Sequence, residues 1–324
     1  MSICRGSRFL AGLCAFGALL SAAAGHAQDW PTKSVRLVVP YPPGGGNDIL
    51  ARLLAPRLAE RWGQAVLVDN RPGAAGNLGA AEVARSAPDA YTLLMATSTI
   101  AMTPGLGQKV GYELATDLVA VAQVGATSMV IAVHPEVAAK GLRDLIALAK
   151  TRSLAYSTCG NASPMHLAGE LFKQSAAIDM LHVPYKGCAP ALIDVIGGQV
   201  AVGFNTIANT AAYERAGRVR IVAVASGERL ADFPNIPTAI EQGMTGYAAD
   251  IWFGLFAPAQ APRTAVEAVN AAVNLALGER DLRDKMRAQY FEAKPGSAAA
   301  FQKFVNDEIV KWSRTIRAAN IKAD

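Results

Sequence analysis

Short apolar runs rich in β-branched residues alternate along the chain with segments whose apolar residues recur at helical spacing. This alternation predicts an α/β fold built on parallel strands. The predicted strands cover residues 35–39, 65–68, 91–95, 129–133, 154–157, 180–183, 200–204, 219–224 and 251–256. The predicted helices cover residues 141–151, 164–175, 188–197 and 207–216, together with most of residues 262–320. A further helix follows the first strand, because Ile49, Leu50, Leu53, Leu54 and Leu58 lie on one helical face.

The C-terminal helical region carries a second amphipathic face. It consists of Phe301, Phe304, Val305, Ile309 and Trp312. We expect this face to pack on the first lobe of the protein, in preference to a membrane or a partner, because core packing is the usual role of an apolar stripe. No low-complexity linker divides the chain, so we expect two lobes joined by crossing strands near residues 125–127 and 247–250.

The N-terminus indicates export. Arg5 and Arg8 precede an apolar run at residues 9–24, and small residues at 25–27 form a cleavage site, so we predict that residues 1–27 are a signal peptide. A membrane anchor is the alternative, but this run is shorter than the roughly 20 residues that cross a bilayer. We therefore expect a soluble protein of the periplasm.

Length and charge narrow the class of protein. The chain has 324 residues, and the part after the signal peptide is longer than a typical single domain, which again favours two lobes. The formal net charge is +5, and the basic residues are scattered among acidic ones, so we do not expect a nucleic-acid partner. No second apolar run of about 18 residues occurs, so we predict no membrane span.

Two cysteines, Cys159 and Cys188, lie outside the signal peptide. Thiols in an oxidising compartment tend to form disulfides, and two cysteines allow only one pairing. Their spacing alone does not establish that they meet in the fold. Neither CxxC nor HExxH occurs, so we expect no zinc site, and we predict no metal and no cofactor.

Four segments of small and polar residues each follow a predicted strand and precede a predicted helix. They are residues 40–48, 70–79, 157–166 and 183–190. The first contains three consecutive glycines, Gly44 to Gly46, and a helix start beyond a flexible loop suits an anion. A tight turn explains any one of these segments equally well. Together they predict a small-molecule site, because ligands of open α/β sheets bind outside the carboxyl ends of parallel strands.

The sequence offers weaker evidence for catalysis than for ligand binding. There is no GxSxG sequence, and neither Ser98 nor Ser163 has a histidine and an acid in a recognisable order. His134, His166 and His182 occur singly along the sequence. For His166 we favour a structural contact at a helix start over a ligand contact, and both over acid–base chemistry. We therefore predict a binding protein rather than an enzyme.

The segments, in this order, resemble the Bug/TctC family of substrate-binding proteins of tripartite tricarboxylate transporters. The resemblance rests on residues 30–31, 35–46, 70–77, 87–94, 166–172, 182–187, 197–200, 234–238 and 252–255. It implies a two-lobed periplasmic-binding-protein fold of type II-like form, each lobe a mainly parallel sheet flanked by helices. Lobe 1 would comprise residues 28–126 and 248–324, and lobe 2 residues 127–247.

The resemblance also implies the ligand and its site. The ligand would be a small di-, tri- or aromatic carboxylate held between the lobes. The implied ligand-binding residues of lobe 1 are Tyr41, Gly44, Gly45, Gly46, Asn47, Asp48, Asn77, Thr97 and Ser98. Those of lobe 2 are Thr158, Cys159, Gly160, Asn161, Ala162, Ser163, His166, Tyr185, Lys186 and Asn205.

The implied partners are the large and small integral membrane subunits of a transporter, and we expect the binding protein to be a monomer. A periplasmic sensor that reports its ligand to a signalling protein is the main alternative. A hydrolase of small esters or amides is a weaker alternative, because the sequence offers no activated nucleophile.

Three departures from the family pattern affect the site. Asn205 stands where relatives commonly carry aspartate, and we hypothesise that this disfavours ligands with an amino group, since a buried unpaired cation is costly. Ala162 replaces a common glycine, so its loop would be stiffer or reshaped. Cys159 and Cys188 replace small residues, and we hypothesise a disulfide that fixes their two loops.

Overall fold

A computed structural model describes residues 30–322, so the predicted signal peptide lies outside the described residues. The strands are β1 (Val35–Val39), β2 (Val66–Asn70), β3 (Thr92–Thr97), β4 (Leu118–Thr127), β5 (Met129–Val133), β6 (Ala155–Thr158), β7 (Leu181–Pro184), β8 (Val202–Thr206), β9 (Arg220–Val224), β10 (Ile251–Pro258) and β11 (Glu292–Ala293). They form two sheets, which agrees with the expectation of two lobes.

Helices cover both sheets. They are α1 (Gly46–Trp62), α2 (Asn77–Ala84), α3 (Thr99–Leu106), α4 (Leu114–Asp117), α5 (Leu142–Thr151), α6 (Pro164–Ala176), α7 (Cys188–Ile196), α8 (Ile207–Arg215), α9 (Arg263–Gly278), α10 (Arg280–Ala288) and α11 (Ala298–Ala318). Apolar residues between the helices and the strands form the core.

The first sheet has the strand order β11-β4-β10-β3-β1-β2. β1 pairs in parallel with both β2 and β3, whereas β10 runs antiparallel to β3 and β4. The second sheet has the order β7-β6-β8-β5-β9, with β6 parallel to β7 and β8, and β5 antiparallel to β8 and β9. Both sheets are mixed but mainly parallel, as predicted, because only β10 and β11 of the first sheet and β5 of the second run against the other strands.

The two crossings lie close to the predicted positions. β4 of the first sheet ends at Thr127, and β5 of the second sheet begins at Met129, so the first crossing is at Ser128. The chain returns before Ile251, where β10 begins. The exact boundaries of the lobes remain predictions.

The C-terminal helix α11 packs on α3 and β4 of the first sheet, as predicted, and also reaches α6 of the second. Phe301, Val305 and Trp312 on its predicted face are buried, whereas Phe304 is 36% exposed. No helix within residues 30–322 is long and apolar enough to cross a membrane.

Candidate functional site

The carboxyl ends of β1, β2 and β3 lie side by side at one edge of the first sheet, because these strands are parallel neighbours. Each strand is followed by a short loop and a helix, and these helices begin at Gly46, Asn77 and Thr99. The fold therefore brings the predicted lobe 1 residues, which are distant in sequence, to one edge. Gly44 and Gly45 are exposed in the first of these loops.

The side chain of Asp48 holds the first loop in place. Its Oδ2 accepts a hydrogen bond from the Gly44 N–H at 3.0 Å, and its Oδ1 accepts one from Asn70 Nδ2 at 3.0 Å. Arg52, one helical turn later, donates to both oxygens at 3.0 and 2.9 Å. Burial alone would raise the pKa of Asp48, but these hydrogen bonds outweigh burial and lower its pKa. The carboxylate thus acts on the loop, and its predicted ligand contact remains a prediction.

Replacing Asp48 with asparagine is expected to lower the free energy of unfolding at pH 7 by about 1–3 kcal/mol, because the charge-assisted hydrogen bonds are lost. Since folding lowers the pKa of Asp48, its contribution is complete above the unfolded pKa and is lost as the pH falls through the folded pKa. Urea unfolding at about pH 7 and pH 3, on either side of the ordinary aspartate pKa of roughly 4, measures both effects.

The Asp307→Asn protein is the control, because Asp307 forms an exposed ion pair with Lys303 on α11. Its stability should change by less than about 1 kcal/mol. If the stability difference between Asp48→Asn and wild type does not shrink on acidification, the assigned role of Asp48 is incorrect.

The other polar side chains of this edge are also engaged within the lobe. Asn47 Nδ2 donates to the Met95 carbonyl at 2.7 Å, and Thr97 Oγ1 donates to the Trp252 carbonyl at 2.9 Å. Asn77 Oδ1 accepts from Tyr112 at 2.9 Å. These three side chains are buried, and their hydrogen bonds hold the loops in position.

Two sets of polar atoms at this edge have no side-chain partner within residues 30–322. The first-turn N–H groups of α1 have no acceptor within the helix, and they begin directly after the exposed glycines. Ser98 is fully buried, and its Oγ has no hydrogen-bond partner within residues 30–322. Tyr41 donates to the Ala75 carbonyl at 3.1 Å and closes one side of a small cavity of about 10 Å³ between these loops.

The second sheet presents a matching edge, because β6, β7 and β8 are parallel and end together. Ser163 is the N-cap of α6, and its Oγ accepts from the His166 N–H at 3.2 Å and donates to the Gly160 carbonyl at 2.7 Å. Pro164 occupies the first helical position, where its missing N–H costs nothing. The loop at residues 159–163 is therefore tied to the start of α6.

Two histidines that occur singly in the sequence lie together in the fold. The rings of His166 and His182 stack with centroids 3.7 Å apart and planes 11° apart. His166 Nδ1 accepts the Ala162 N–H at 3.1 Å, and His182 Nε2 lies 2.7 Å from Thr158 Oγ1. Burial, together with a smaller electrostatic effect of His166, lowers the pKa of His182 to about 4, so this ring is neutral at neutral pH. These contacts attach both rings to the loop, and the predicted ligand contact of His166 stays a prediction.

Ala162 has the left-handed conformation with φ of 52°, which costs an alanine about 1–2 kcal/mol. Replacing Ala162 with glycine is expected to raise the free energy of unfolding by up to about 1 kcal/mol, because relief of this strain exceeds the entropy that glycine adds to the unfolded chain. The same change is expected to lower ligand affinity a few-fold, since a looser loop must be ordered on binding. Thermal unfolding and calorimetric titration measure the two effects.

Ala177 offers a matched control, because it has φ of 49° at the end of α6. The Ala177→Gly protein should gain similar stability with no change in affinity. Equal affinity losses in both variants would show that the loop at Ala162 has no special part in binding.

The remaining lobe 2 residues surround the same edge. Tyr185 donates to Asp194 Oδ2 at 2.5 Å, and burial, with this contact, raises its pKa to about 12. Lys186 is exposed, and within residues 30–322 it forms no ion pair. Asn205 is buried, with Oδ1 accepting from the Thr206 N–H and from Asn209 Nδ2, both at 2.9 Å.

The structure contains a disulfide between Cys159 and Cys188, which is the hypothesised pairing. It connects the loop after β6 with the start of α7. Asn161, in the same loop, donates from Nδ2 to the Lys322 carbonyl at 3.1 Å. The predicted lobe 2 residues thus lie at the carboxyl ends of β6 and β8, in the loops that follow β6 and β7 and, for His166, in the first turn of α6.

Sequence reasoning missed several residues that support the site. Tyr156 and Lys173 both donate to Glu170 Oε1, at 2.6 and 3.0 Å, beneath the histidine pair. The pairs Asp48–Arg52 and Glu170–Lys173 have helical spacing and could have been found from it. The contacts of Tyr156, which joins a strand to a helix, have no such local signal. Among the described residues, no cluster could hold a metal ion.

Comparison with known proteins is consistent with this geometry. A family profile described as the tripartite tricarboxylate transporter family receptor matches residues 50–321. Protein BugT of Bordetella pertussis is 34% identical over 307 residues, which cover 93% of this chain and 94% of BugT.

Two solved structures from Rhodopseudomonas palustris are also similar. Rpa4515 with adipate is 35% identical, with a TM-score of 0.76, covering 91% of this chain and 99% of its own. MatC with bound malate is 29% identical, with a TM-score of 0.72, covering 89% of this chain and all of its own.

Proposed function

Because this chain belongs to the tripartite tricarboxylate transporter receptor family, we propose that it captures a small carboxylate between its two lobes and delivers it to a membrane transporter. Membership confirms the resemblance found in the sequence, and the similar structures confirm the α/β periplasmic-binding-protein fold. The family consists of substrate-binding receptors rather than enzymes, which also agrees with the sequence analysis.

One observation carries the choice of an anionic ligand. Both sheet edges end in loops that lead into helix N-termini without a side-chain cap, at Gly46 in the first lobe and at Cys188 in the second. Such N-termini attract anions through free N–H groups and a partial positive charge. The exposed amine of Lys186 adds a full positive charge beside the second edge.

A dicarboxylate suits two such edges. One carboxylate would accept hydrogen bonds from the loop at residues 44–47, and the other would contact the loop at residues 158–163 and Lys186. Only a ligand that contacts both lobes favours their closure, because a ligand with equal affinity for open and closed states shifts nothing. The bound dicarboxylates of Rpa4515 and MatC support this class.

The cellular setting follows from the same family. We propose that the mature protein is a periplasmic monomer released by cleavage after residue 27, and that integral membrane subunits of a transporter recognise its closed form. The predicted lobe boundaries place the hinge at the two crossings. A signalling protein in place of the transporter would use the same ligand site.

A thermal-shift screen of residues 28–324 tests the proposal. The protein is first unfolded and refolded by dialysis to remove any carried ligand, and is then screened with adipate, malate, citrate, benzoate and matched amino acids. A ligand at 100 times its Kd adds about 2.7 kcal/mol, which should raise the midpoint by roughly 5 °C or more. If no carboxylate shifts the midpoint of the folded protein, carboxylate capture is incorrect.

A further inference from the structure

We propose that the disulfide between Cys159 and Cys188 holds the second-lobe loop in its binding geometry, so that reducing this bond lowers carboxylate affinity while the protein remains folded. The inference rests on the proposed carboxylate-binding function. It assigns the two cysteines as positioning residues, whose bond acts on the ligand through the loop at residues 158–163, named here the anion loop.

The bond joins two neighbouring strand ends. Cys159 follows the last residue of β6, and Cys188 is the first residue of α7, which follows β7. Two main-chain hydrogen bonds of 3.1 Å accompany the bond, from the Tyr185 N–H to the Thr158 carbonyl and from the Gly187 N–H to the Cys159 carbonyl. The anion loop is therefore attached to the β7–α7 loop along its first residues.

The third strand end is connected through the same cysteine. Asn205, at the end of β8, donates from Nδ2 to the Cys188 carbonyl at 3.3 Å. Its own oxygen accepts two hydrogen bonds, so the direction of the amide is determined by its neighbours. The bond between the cysteines is thus the covalent part of a link across all three loops of this edge.

The anion loop has little regular structure of its own. Gly160 has φ of 145° and Ala162 has φ of 52°, so hydrogen bonds of a helix or sheet do not hold this stretch. Ser163 and His166 hold its end at α6, and the disulfide holds its beginning. Without the bond, ordering the loop would become part of the cost of binding.

The fold itself does not depend on this bond. β6 pairs with β7 over four residues and with β8 on its other side. Tyr156 of β6, Phe172 of α6 and Phe204 of β8 are fully buried in the core beneath the loops. The strand pairing involves neither cysteine, and both cysteine side chains can pack against this core without the bond, so the second sheet should persist when the thiols are free.

The bond is accessible to a reductant, because both cysteines are only partly buried. A soluble dithiol supplies the two electrons and two protons. Its first sulfur attacks one cysteine sulfur, forms a mixed disulfide with it and releases the other cysteine as a thiol. Its second sulfur then attacks its own first sulfur, which closes the oxidised dithiol and releases the remaining cysteine as a thiol. The products are two protein thiols and one oxidised dithiol.

Calorimetric titration with adipate, malate and citrate tests the proposal on the mature protein with and without dithiothreitol. Reduction is expected to weaken binding of the accepted acid roughly tenfold, mainly through entropy. The Cys159→Ser/Cys188→Ser protein should bind like the reduced protein and should not respond to dithiothreitol, which separates loss of the bond from other effects of the reductant.

Hydrogen exchange of the oxidised and reduced proteins gives a measurement that needs no ligand. Faster exchange confined to residues 158–163 and 185–188 is expected. Equal affinity in both forms would overturn the inference whatever the exchange, and so would global unfolding on reduction, because the bond would then hold the lobe rather than the loop. If no acid binds the oxidised protein while exchange still changes locally, the proposed function fails and the positioning role stands.

Discussion

Replacing Asn205 with aspartate is expected to reverse the ligand preference of the site. Asn205 is 2% exposed and donates from Nδ2 to the Cys188 carbonyl. Aspartate would place a carboxylate against that carbonyl and beside the proposed carboxylate site, where the repulsion is weakly screened. Affinity for simple dicarboxylates should fall by about 2–3 kcal/mol, or roughly 30–150-fold. Amino-bearing acids, whose ammonium group would pair with the new charge, should lose less or gain.

Calorimetric titration with succinate and aspartate, which differ by an amino group, measures this preference in the wild type and in Asn205→Asp. Gln199→Glu is the control, because it adds the same charge at an exposed position before β8, at the opposite end of that strand from Asn205. The control should change either affinity by less than tenfold, since solvent screens its charge. If succinate still binds Asn205→Asp better than aspartate by the wild-type ratio, Asn205 does not determine the preference.

Replacing Glu308 with alanine is expected to cause the largest loss of stability. Glu308, in α11, is 5% exposed, and its Oε2 accepts from Trp252 Nε1 at 3.1 Å and from Trp312 Nε1 at 2.9 Å. It also forms an ion pair with Lys311. Alanine leaves two buried indole N–H groups without an acceptor, each worth about 1–3 kcal/mol, so the free energy of unfolding should fall by about 3–5 kcal/mol.

The Glu308→Gln protein separates hydrogen bonding from charge. Its amide oxygen can still accept from an indole, so it should lose only about half as much stability as Glu308→Ala. Glu267→Ala removes an exposed ion pair on α9 and should change stability by less than about 1 kcal/mol. Denaturant unfolding of the three variants measures this order. Equal losses in Glu308→Ala and Glu267→Ala would show that the carboxylate does not stabilise the core.

Glu308 also connects α11 to the return crossing. Trp252 is the second residue of β10, directly after the crossing, and Lys311 donates to the Ala248 carbonyl within it at 3.1 Å. α11 therefore holds the return crossing, one of the two proposed hinge segments, from the side of the first sheet. Loss of Glu308 should loosen this segment before it affects the distant sheet edges.

Local patterns predicted most of the regular structure. The strands at residues 35–39 and 129–133 have the predicted bounds, because β-branched runs between turn residues leave little choice of conformation. β4 and α3 were missed. β4 is an apolar run interrupted by Gln123 and Gly125, and α3 contains Pro104 and a following glycine, so neither has a periodic signal that separates strand from helix.

The loops of the site were predicted, but the roles of their side chains were not. Strand-to-helix junctions rich in glycine can be found in the sequence, because only such residues permit these turns. The Asp48 carboxylate accepts hydrogen bonds from Arg52 and Asn70, and the His166 ring stacks on His182. The contacts of Asn70 and His182 come from elements distant in sequence. Hydrogen-bond partners of this kind are decided by packing.

The sequence by itself determined the α/β architecture, the family and the segments that form the site. It also predicts the export signal. Each of these follows from local spacing or from motifs that lie within a few residues of one another. The tertiary structure decided the mixed order of the sheets, the histidine pair and the link from Cys159 through Cys188 to Asn205. These features depend on which strands become neighbours, and strand order arises from the burial of whole faces rather than from any local pattern.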